Sequence, residues 1–416
     1  MQGDEKIRQA VSGMLNGDKT YTAGGLEGSD AALARASYIE QKYKASLEHV
    51  KRGIEDVDFG DAEKRNIENA VGTVQVPVGF VEIKVNGEYA SGVRPIFLAT
   101  TEGRLVAGVN RGASAINMSG GATARIMSSG MTRSVIIETN GISDSKRIAD
   151  FVVSDVGKRF IAEEFSKSTK HGRLIDVQAF TTGRLVYIRY VADTKAAMGM
   201  NMVTIASTNA TNALVGKLKS IGIDANFMSE SGNLCTDKKP SYINALLGRG
   251  VSVVAEATIT KEALEKYFNA SAKDIEALNY SKNYVGSGLA GSLAHNAQAA
   301  NILAATFIAY GQDAAQVVDG SIATDDAKAL SDGSLYISVY IPSLEIGTFG
   351  GGTHRETQKE LLAASGFYGE GDEQGFTKLA FAECIAATVL AGELNLLAAE
   401  AGKELSKAHA SIRRRD

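Results

Sequence analysis

An α+β fold is what this 416-residue chain predicts, and three features predict it. The first 70 residues are polar and patterned as helices. Beyond them the chain turns to stretches rich in β-branched residues. Residues 135–229 then run strand, helix, strand, strand, helix, strand.

The elements follow in order. Ser29 or Asp30 is placed to cap a helix through AALARASYIEQKYKASLEHV. VGTVQVPVGFVEIKV (71–85) and RPIFLATTEGRLVAGVN (94–110) read as strands, and GGATARIMSSGM (120–131) as a glycine-led helix. SVIIET (134–139) is a strand. Residues 143–167 form one long amphipathic helix with Ser143 or Asp144 as its cap. RLIDVQAFT and RLVYIRYVA flank Thr182-Gly183, a hairpin turn. AMGMNMVTIASTNATNALVGKLKSIG (197–222) is a helix ending in lysines and Gly222, as helix ends prefer. DANFMS closes the unit. This order is the split βαβ, ferredoxin-like arrangement, which hosts many functions and decides none by itself. GVSVVAEATI (250–259) and SLYISVYIPSLEI (334–346) are strands, residues 290–310 a long Ala-rich helix, and two helices close the chain.

Composition narrows the function classes. The chain is long enough for two or three domains. Hydrophobic content of 44% and charged content of 22% are ordinary for a globular protein. A net charge of −4 gives no broad basic footprint for nucleic acid. The opening MQGDEKIRQAV lacks the apolar core of a signal peptide, and no run of about 20 uninterrupted apolar residues marks a membrane span. Cys235 and Cys384 give neither a disulfide framework nor zinc spacing. A reducing cytoplasm is the expected location, with no metal.

The most informative stretch is SESGNLCTDKKPS (229–241). Asp237 precedes the adjacent cations Lys238 and Lys239, and Pro240 stops them. Proline disfavours a helical residue before it, so the pair belongs on an ordered loop. Two neighbouring ammonium groups disfavour each other's charge and a carboxylate beside them restores it. Such a loop suits an anion or a developing oxyanion. A solvated turn is the bland alternative for any single lysine pair. Residues 286–291, GSGLAG, fit G-x-G-x-x-G with Asp313 downstream, but a dinucleotide-binding βαβ unit needs a second strand before that acid. The intervening residues read as helical.

Several ordered segments together resemble the 3-hydroxy-3-methylglutaryl-coenzyme A (HMG-CoA) reductases of eukaryotes and archaea. They are ENAVGTVQVPVG (68–79), LATTEGRLVAGVNRG (98–112), GMTR (130–133), AMGMNM (197–202), SGNLCTDKKP (231–240), GRGVSVVAEA (248–257), GQDAAQ (311–316), EIGTFGGGT (345–353) and AGELNLLAA (391–399). The resemblance implies a helical part (1–70), a large mixed α/β acyl-CoA-binding domain (71–134 and 230–416) and an inserted ferredoxin-like cofactor domain (135–229). It implies reduction of HMG-CoA to mevalonate and coenzyme A with two NADPH, the alternative being a reductase of the same family that prefers NADH or runs oxidatively. It also implies a homodimer, or larger homo-oligomer, with the active site at the interface. A family member that binds acyl-CoA without turning it over is the non-enzymatic alternative.

The roles carried by the resemblance fall on matching positions. Lys238 resembles the cation at the carbonyl oxygen and Glu102 the acidic proton donor. Asp313 resembles the aspartate coupling them, and His409 the donor to the departing thiolate, a task its ordinary pKa suits. Arg133, Ser231, Asp237, Lys239 and Lys282 resemble contacts to the hydroxymethylglutaryl group. Asn110 and Arg111 match positions near coenzyme A, and Asn301 a supporting residue. Met198, Gly199 and Asn201, with Gly350, Gly351 and Gly352, match the cofactor motifs. Thr169 and Lys170 align with a serine-arginine pair that meets the 2′-phosphate of NADPH. Met198 and Met202, four apart on a helix, read equally as a core stripe. Ala196 stands where the family has an aspartate, Gly108 where it has a serine, and Gln298 where it has a histidine. Ala408 replaces the serine before His409.

Overall fold

The computed structural model describes residues 2–404 except Lys19, Ala45 and Glu55. Its described strands are β1 (Val78–Asn86), β2 (Ser91–Ala99), β3 (Ala122–Thr139), β4 (Arg173–Thr182), β5 (Leu185–Asp193), β6 (Ala225–Ser229), β7 (Gly250–Ile259), β8 (Thr324–Ala329) and β9 (Leu335–Leu344). They form a mixed sheet whose main path is β2-β1-β3-β7-β9-β8.

β3 organises the molecule. Its first half pairs in parallel with β1, Val85 opposite Ala122, and antiparallel with β7 from Thr123–Glu256 to Gly130–Gly250. Its second half leaves those partners and pairs antiparallel with β5 and β6. β4 extends that branch by pairing antiparallel with β5, with a bulge between Leu174 and Asp176. The strand order there is therefore β4-β5-β3-β6. One strand thus joins two sheet regions, each over its own apolar core. The larger core gathers β1, β2, β7 and β9 against the helices Leu105–Met118, Ala299–Ala309 and Phe376–Ala401. The second packs the far half of β3 and β5 against the helices Ile142–Val153, Asp155–Ser166 and Met200–Ser220.

The helix Phe376–Ala401 is long and apolar enough to cross a membrane by length and composition, and most of it is buried inside the fold. It is the central core helix of the larger region. Its Glu383 carboxylate turns to the β1–β2 hairpin and accepts N–H bonds from Glu88, Tyr89 and Ala90.

Several sequence expectations are corrected. Residues 122–131 are strand, not helix, because β1 and β7 flank them and supply their hydrogen-bond partners. Residues 94–110 are strand only to Ala99, and the helix Leu105–Met118 follows. Residues 71–77 are irregular. The long helix expected at 143–167 is two helices, broken where Ser154 goes extended and its hydroxyl caps Gly157 N. Ser29, Asp30, Ser143 and Asp144 cap nothing, since their helices begin one residue or more earlier, after Glu27 and Gly141. The β4–β5 turn is Gly183-Arg184, one residue beyond the expected pair. Residues 291–298 are not helical, and His295 instead bridges to Thr324 in the unforeseen strand β8.

Candidate active site

The SGNLCTDKKP segment is a loop between β6 and the helix Tyr242–Leu247. Asn233, Thr236 and Lys238 all take left-handed backbone angles, φ 60°, 53° and 60°. The Lys238 ammonium lies 2.8 Å from Asp313 Oδ2. That hydrogen bond raises the lysine pKa against the opposing effect of burial, so the group is a cation at neutral pH. Asp313 also caps the short turn after it, accepting Ala315 N at 3.1 Å. Asp237 accepts from Arg249 Nη2 at 3.0 Å and Gln316 Nε2 at 2.9 Å. Lys239 Nζ returns to the Asp237 carbonyl at 3.1 Å. Arg133, on β3, borders the same loop by donating to the Glu230 carbonyl at 3.0 Å, and Ser231 N donates to Ser229 Oγ at 3.2 Å.

Asp313 also lies on the wall of a cavity of about 650 Å³. Three backbone segments enclose it, 197–202, 311–314 and 347–353, with Arg65 and Asn66 from the N-terminal part. Glycine is required where these segments touch. A Cβ on Gly347 would lie 2.5 Å from Met198 N, and one on Gly311 2.4 Å from the Gly352 carbonyl oxygen. Gly350 and Gly351 instead have open space where a side chain would begin. The helix Met200–Ser220 starts at this cavity after Gly199 (φ 86°), so Met200, Asn201 and Met202 present its N-terminal turn. A helix N-terminus beside glycine-rich backbone suits a phosphorylated ligand. Met198 and Met202 line the cavity and also pack on the second core, but Met198 precedes the helix that holds Met202, so the two do not form a stripe on one helix.

Thr169 and Lys170 sit on the loop before β4. Thr169 Oγ1 accepts the N–H groups of His171 and Gly172 at 3.1 and 3.2 Å. A Cβ on Gly172 would fall 2.4 Å from Met202 Cε, so this loop abuts a side chain of the cavity wall. Ala196 is buried, and its carbonyl accepts Thr348 N at 2.8 Å.

Glu102 and Asn301 meet each other, Asn301 Nδ2 lying 3.4 Å from Glu102 Oε1. Among the described residues no hydrogen bond or ion pair links this pair to Lys238 and Asp313. Lys282 pairs with Glu400 at 2.5 Å, not with the lysine loop. Arg111 bonds Asn395 at 2.7 Å and Glu404 at 3.0 Å and stacks over Phe268. Neighbouring Asn110 is exposed. A Cβ at Gly108 would stand 2.6 Å from Asn395 Nδ2, so a larger residue there requires that side chain to move. His409 lies outside the described residues.

Sequence reasoning missed Arg65 and Asn66 on the cavity wall, and Arg249, Asp319 and Glu345 beneath the loop. Arg249 and Glu345 stand inside matched segments, which was the available signal. Asp319 had none. Among the described residues no group of three or more His, Cys, Asp or Glu could hold a metal ion.

A sequence profile of hydroxymethylglutaryl-coenzyme A reductase matches residues 31–414. The chain is 43% identical over 414 residues to the 3-hydroxy-3-methylglutaryl-coenzyme A reductase of Methanocaldococcus jannaschii, covering 99% of this chain and 100% of that one. It is 44% identical over 407 residues to the Aeropyrum pernix enzyme of the same name, covering 98% and 94%. Among solved structures it resembles the class II reductase of Streptococcus pneumoniae bound to NADPH in open conformations. That likeness has a TM-score of 0.63 at 18% identity, over 88% of this chain and 96% of the other, and it concerns the fold. These matches define an oxidoreductase. The chain belongs to the hydroxymethylglutaryl-coenzyme A reductase family.

Proposed function

We propose that the protein reduces (S)-HMG-CoA to (R)-mevalonate and free coenzyme A, consuming two NADPH and two protons, in the mevalonate route to isoprenoids in the cytoplasm. The observation that carries this reading is the Lys238–Asp313 pair at the edge of the glycine-lined cavity. The cavity fits a dinucleotide in its helix N-terminus, its open glycine backbone and its adjoining Thr169–Lys170 loop. Met198, Gly199, Asn201 and Gly350–Gly352 would hold the cofactor there, which supplies hydride when bound. Residues 135–229 would form its domain, and the β4-β5-β3-β6 order supports the ferredoxin-like reading.

The protein's part is electrostatic and protonic. Each reduction builds negative charge on a carbonyl oxygen, and Lys238 meets that charge as a preorganised cation. Asp313 fixes the ammonium and keeps it protonated. The first reduction gives a hemithioacetal. Its C–S bond breaks to release mevaldehyde and the coenzyme A thiolate, which His409 protonates. Glu102 gives a proton to the alcohol oxygen. Arg133, Ser231, Asp237, Lys239 and Lys282 would hold the hydroxymethylglutaryl group, and Asn110 and Arg111 the coenzyme A portion.

Glu102 and Asn301 form a cluster with no bond to Lys238 and Asp313 among the described residues. That separation supports a site completed across a homodimer interface. The test is absorbance at the reduced-nicotinamide band on adding HMG-CoA, with NADPH and NADH in turn. The expected result is two NADPH oxidised per mevalonate formed. Preferential NADH oxidation would overturn the cofactor assignment, and no oxidation of either would overturn the function.

A further inference from the structure

A buried ionic junction lies beneath the lysine loop, and apart from Asp237 the chemistry above leaves it unused. Arg249, just before β7, has a fully buried guanidinium that reaches Asp237 at 3.0 Å, Asp319 at 3.4 Å and Glu345 at 3.0 Å. Its Nη2 also lies 3.1 Å from Met200 Sδ, in the first turn of the helix that opens on the cavity. Burial works against this cation, but the Glu345, Asp237 and Asp319 carboxyls outweigh it and hold the pKa above the ordinary value.

Asp319 is itself fully buried. Its Oδ2 accepts the backbone N–H of Lys238 at 3.0 Å, and its Oδ1 that of Lys239 at 3.2 Å. Lys238 adopts φ 60°, a conformation that L side chains rarely take and that persists only where the surroundings impose it. Two backbone N–H groups held by one buried carboxyl group supply that restraint. Asp313 holds the ammonium at the other end of the same side chain.

We propose that Asp319 is a positioning residue for Lys238, and that Arg249 ties that position to the first turn of the cofactor-side helix. The inference rests on Lys238 being the cation that meets the carbonyl oxygen. It assigns a task to an acid with no contact to the Lys238 ammonium. Removing Asp319 frees the lysine backbone while the substrate contacts of Arg133 and Ser231 stay in place. The loss therefore falls on the chemical step and, through the freed backbone of Lys239, on KM for the thioester, while KM for the cofactor is spared.

Two measurements test it. In the full-length protein, amide exchange followed on a peptide spanning 236–240 should show the Lys238 amide protected although that residue is exposed, the Lys239 amide being held by the Thr236 carbonyl as well. Exchange at the rate of an open loop overturns the proposal. Asp319→Asn places an amide donor against one of the two N–H groups. It should lower kcat on HMG-CoA about 100-fold, the scale of a misplacement of about 1 Å, with KM for the cofactor within about threefold of wild type. Unchanged kcat, or parallel losses in kcat and both KM values, overturns it. If that variant does not fold, the wild-type Lys238 amide decides. A Lys238→Ala variant with near-normal turnover would remove the role of Lys238 itself, and the amide measurement would stand apart from that failure.

Discussion

Lys378 sits in the first turn of the helix Phe376–Ala401, almost wholly buried. Its ammonium donates to Thr194 Oγ1 at 3.0 Å and to the Ala197 carbonyl at 3.3 Å, directly under the loop that forms the cavity wall. Burial drives its pKa from the ordinary 10.5 down to about 8, with Asp193 and Asp372 pulling it up and Lys195 pushing it down. The folded protein thus releases this proton near pH 8 and the unfolded chain near 10.5. Between those values the unfolded state binds more protons, so the contribution of this lysine to stability rises with pH. Below pH 8 it destabilises the fold by about 3 kcal/mol, and that penalty has largely gone by pH 10.5. Lys378→Met keeps the length and removes the charge. It strands no acceptor, because Thr194 Oγ1 already donates to the Ala197 carbonyl at 2.8 Å. The assay is denaturant unfolding of both proteins by circular dichroism from pH 7 to 10.5. The variant-minus-wild-type stability should fall by about 3 kcal/mol across that range. A difference that stays constant with pH would refute the reasoning.

Other perturbations probe the site. Lys170→Glu should raise KM for NADPH at least about tenfold and leave KM for NADH nearly unchanged, because the new carboxylate repels a phosphate dianion and meets only a hydroxyl in NADH. Equal effects on both cofactors in steady-state kinetics would remove Thr169 and Lys170 from 2′-phosphate recognition. His409→Gln should lose at least about 100-fold on HMG-CoA and far less on mevaldehyde, whose reduction releases no thiolate. Equal loss on both would end the proton-donor role. In Gly347→Ala the new Cβ would stand 2.5 Å from Met198 N and push the two walls apart. The cofactor dissociation constant, read by nicotinamide fluorescence, should rise at least about tenfold, and unchanged affinity would mean that this wall does not touch the cofactor.

Local pattern revealed much of the second sheet region, because β4, β5 and β6 carry alternating or β-branched residues with turn residues between them. It failed at residues 122–131, whose Ala, Ser, Met and Gly have no strong strand preference. They are strand because β1 and β7 lie on either side. It failed again at 291–298, where Ala-rich composition favours helix. There the Glu393 carboxylate accepts the Ala297 and Gln298 N–H groups at 2.6 and 2.8 Å, and the helix starts only at Ala299. Lys238 and Asp313 were legible as motif residues, but their contact spans 75 positions that no local pattern joins. Asp319 and Arg249 were illegible as a unit. A buried ion pair leaves no periodicity, and each residue alone reads as a surface charge.

Lys238 is proposed to supply the positive charge at the reacting oxygen. That role is tested most directly by Lys238→Ala, with oxidation of NADPH by HMG-CoA followed under saturating concentrations of both. Loss of one such donor lowers turnover on the order of 100- to 1000-fold. That loss is expected in kcat, with thermal unfolding close to wild type because the side chain is partly exposed and its partner Asp313 stays solvated. Turnover within a few-fold of wild type would contradict it.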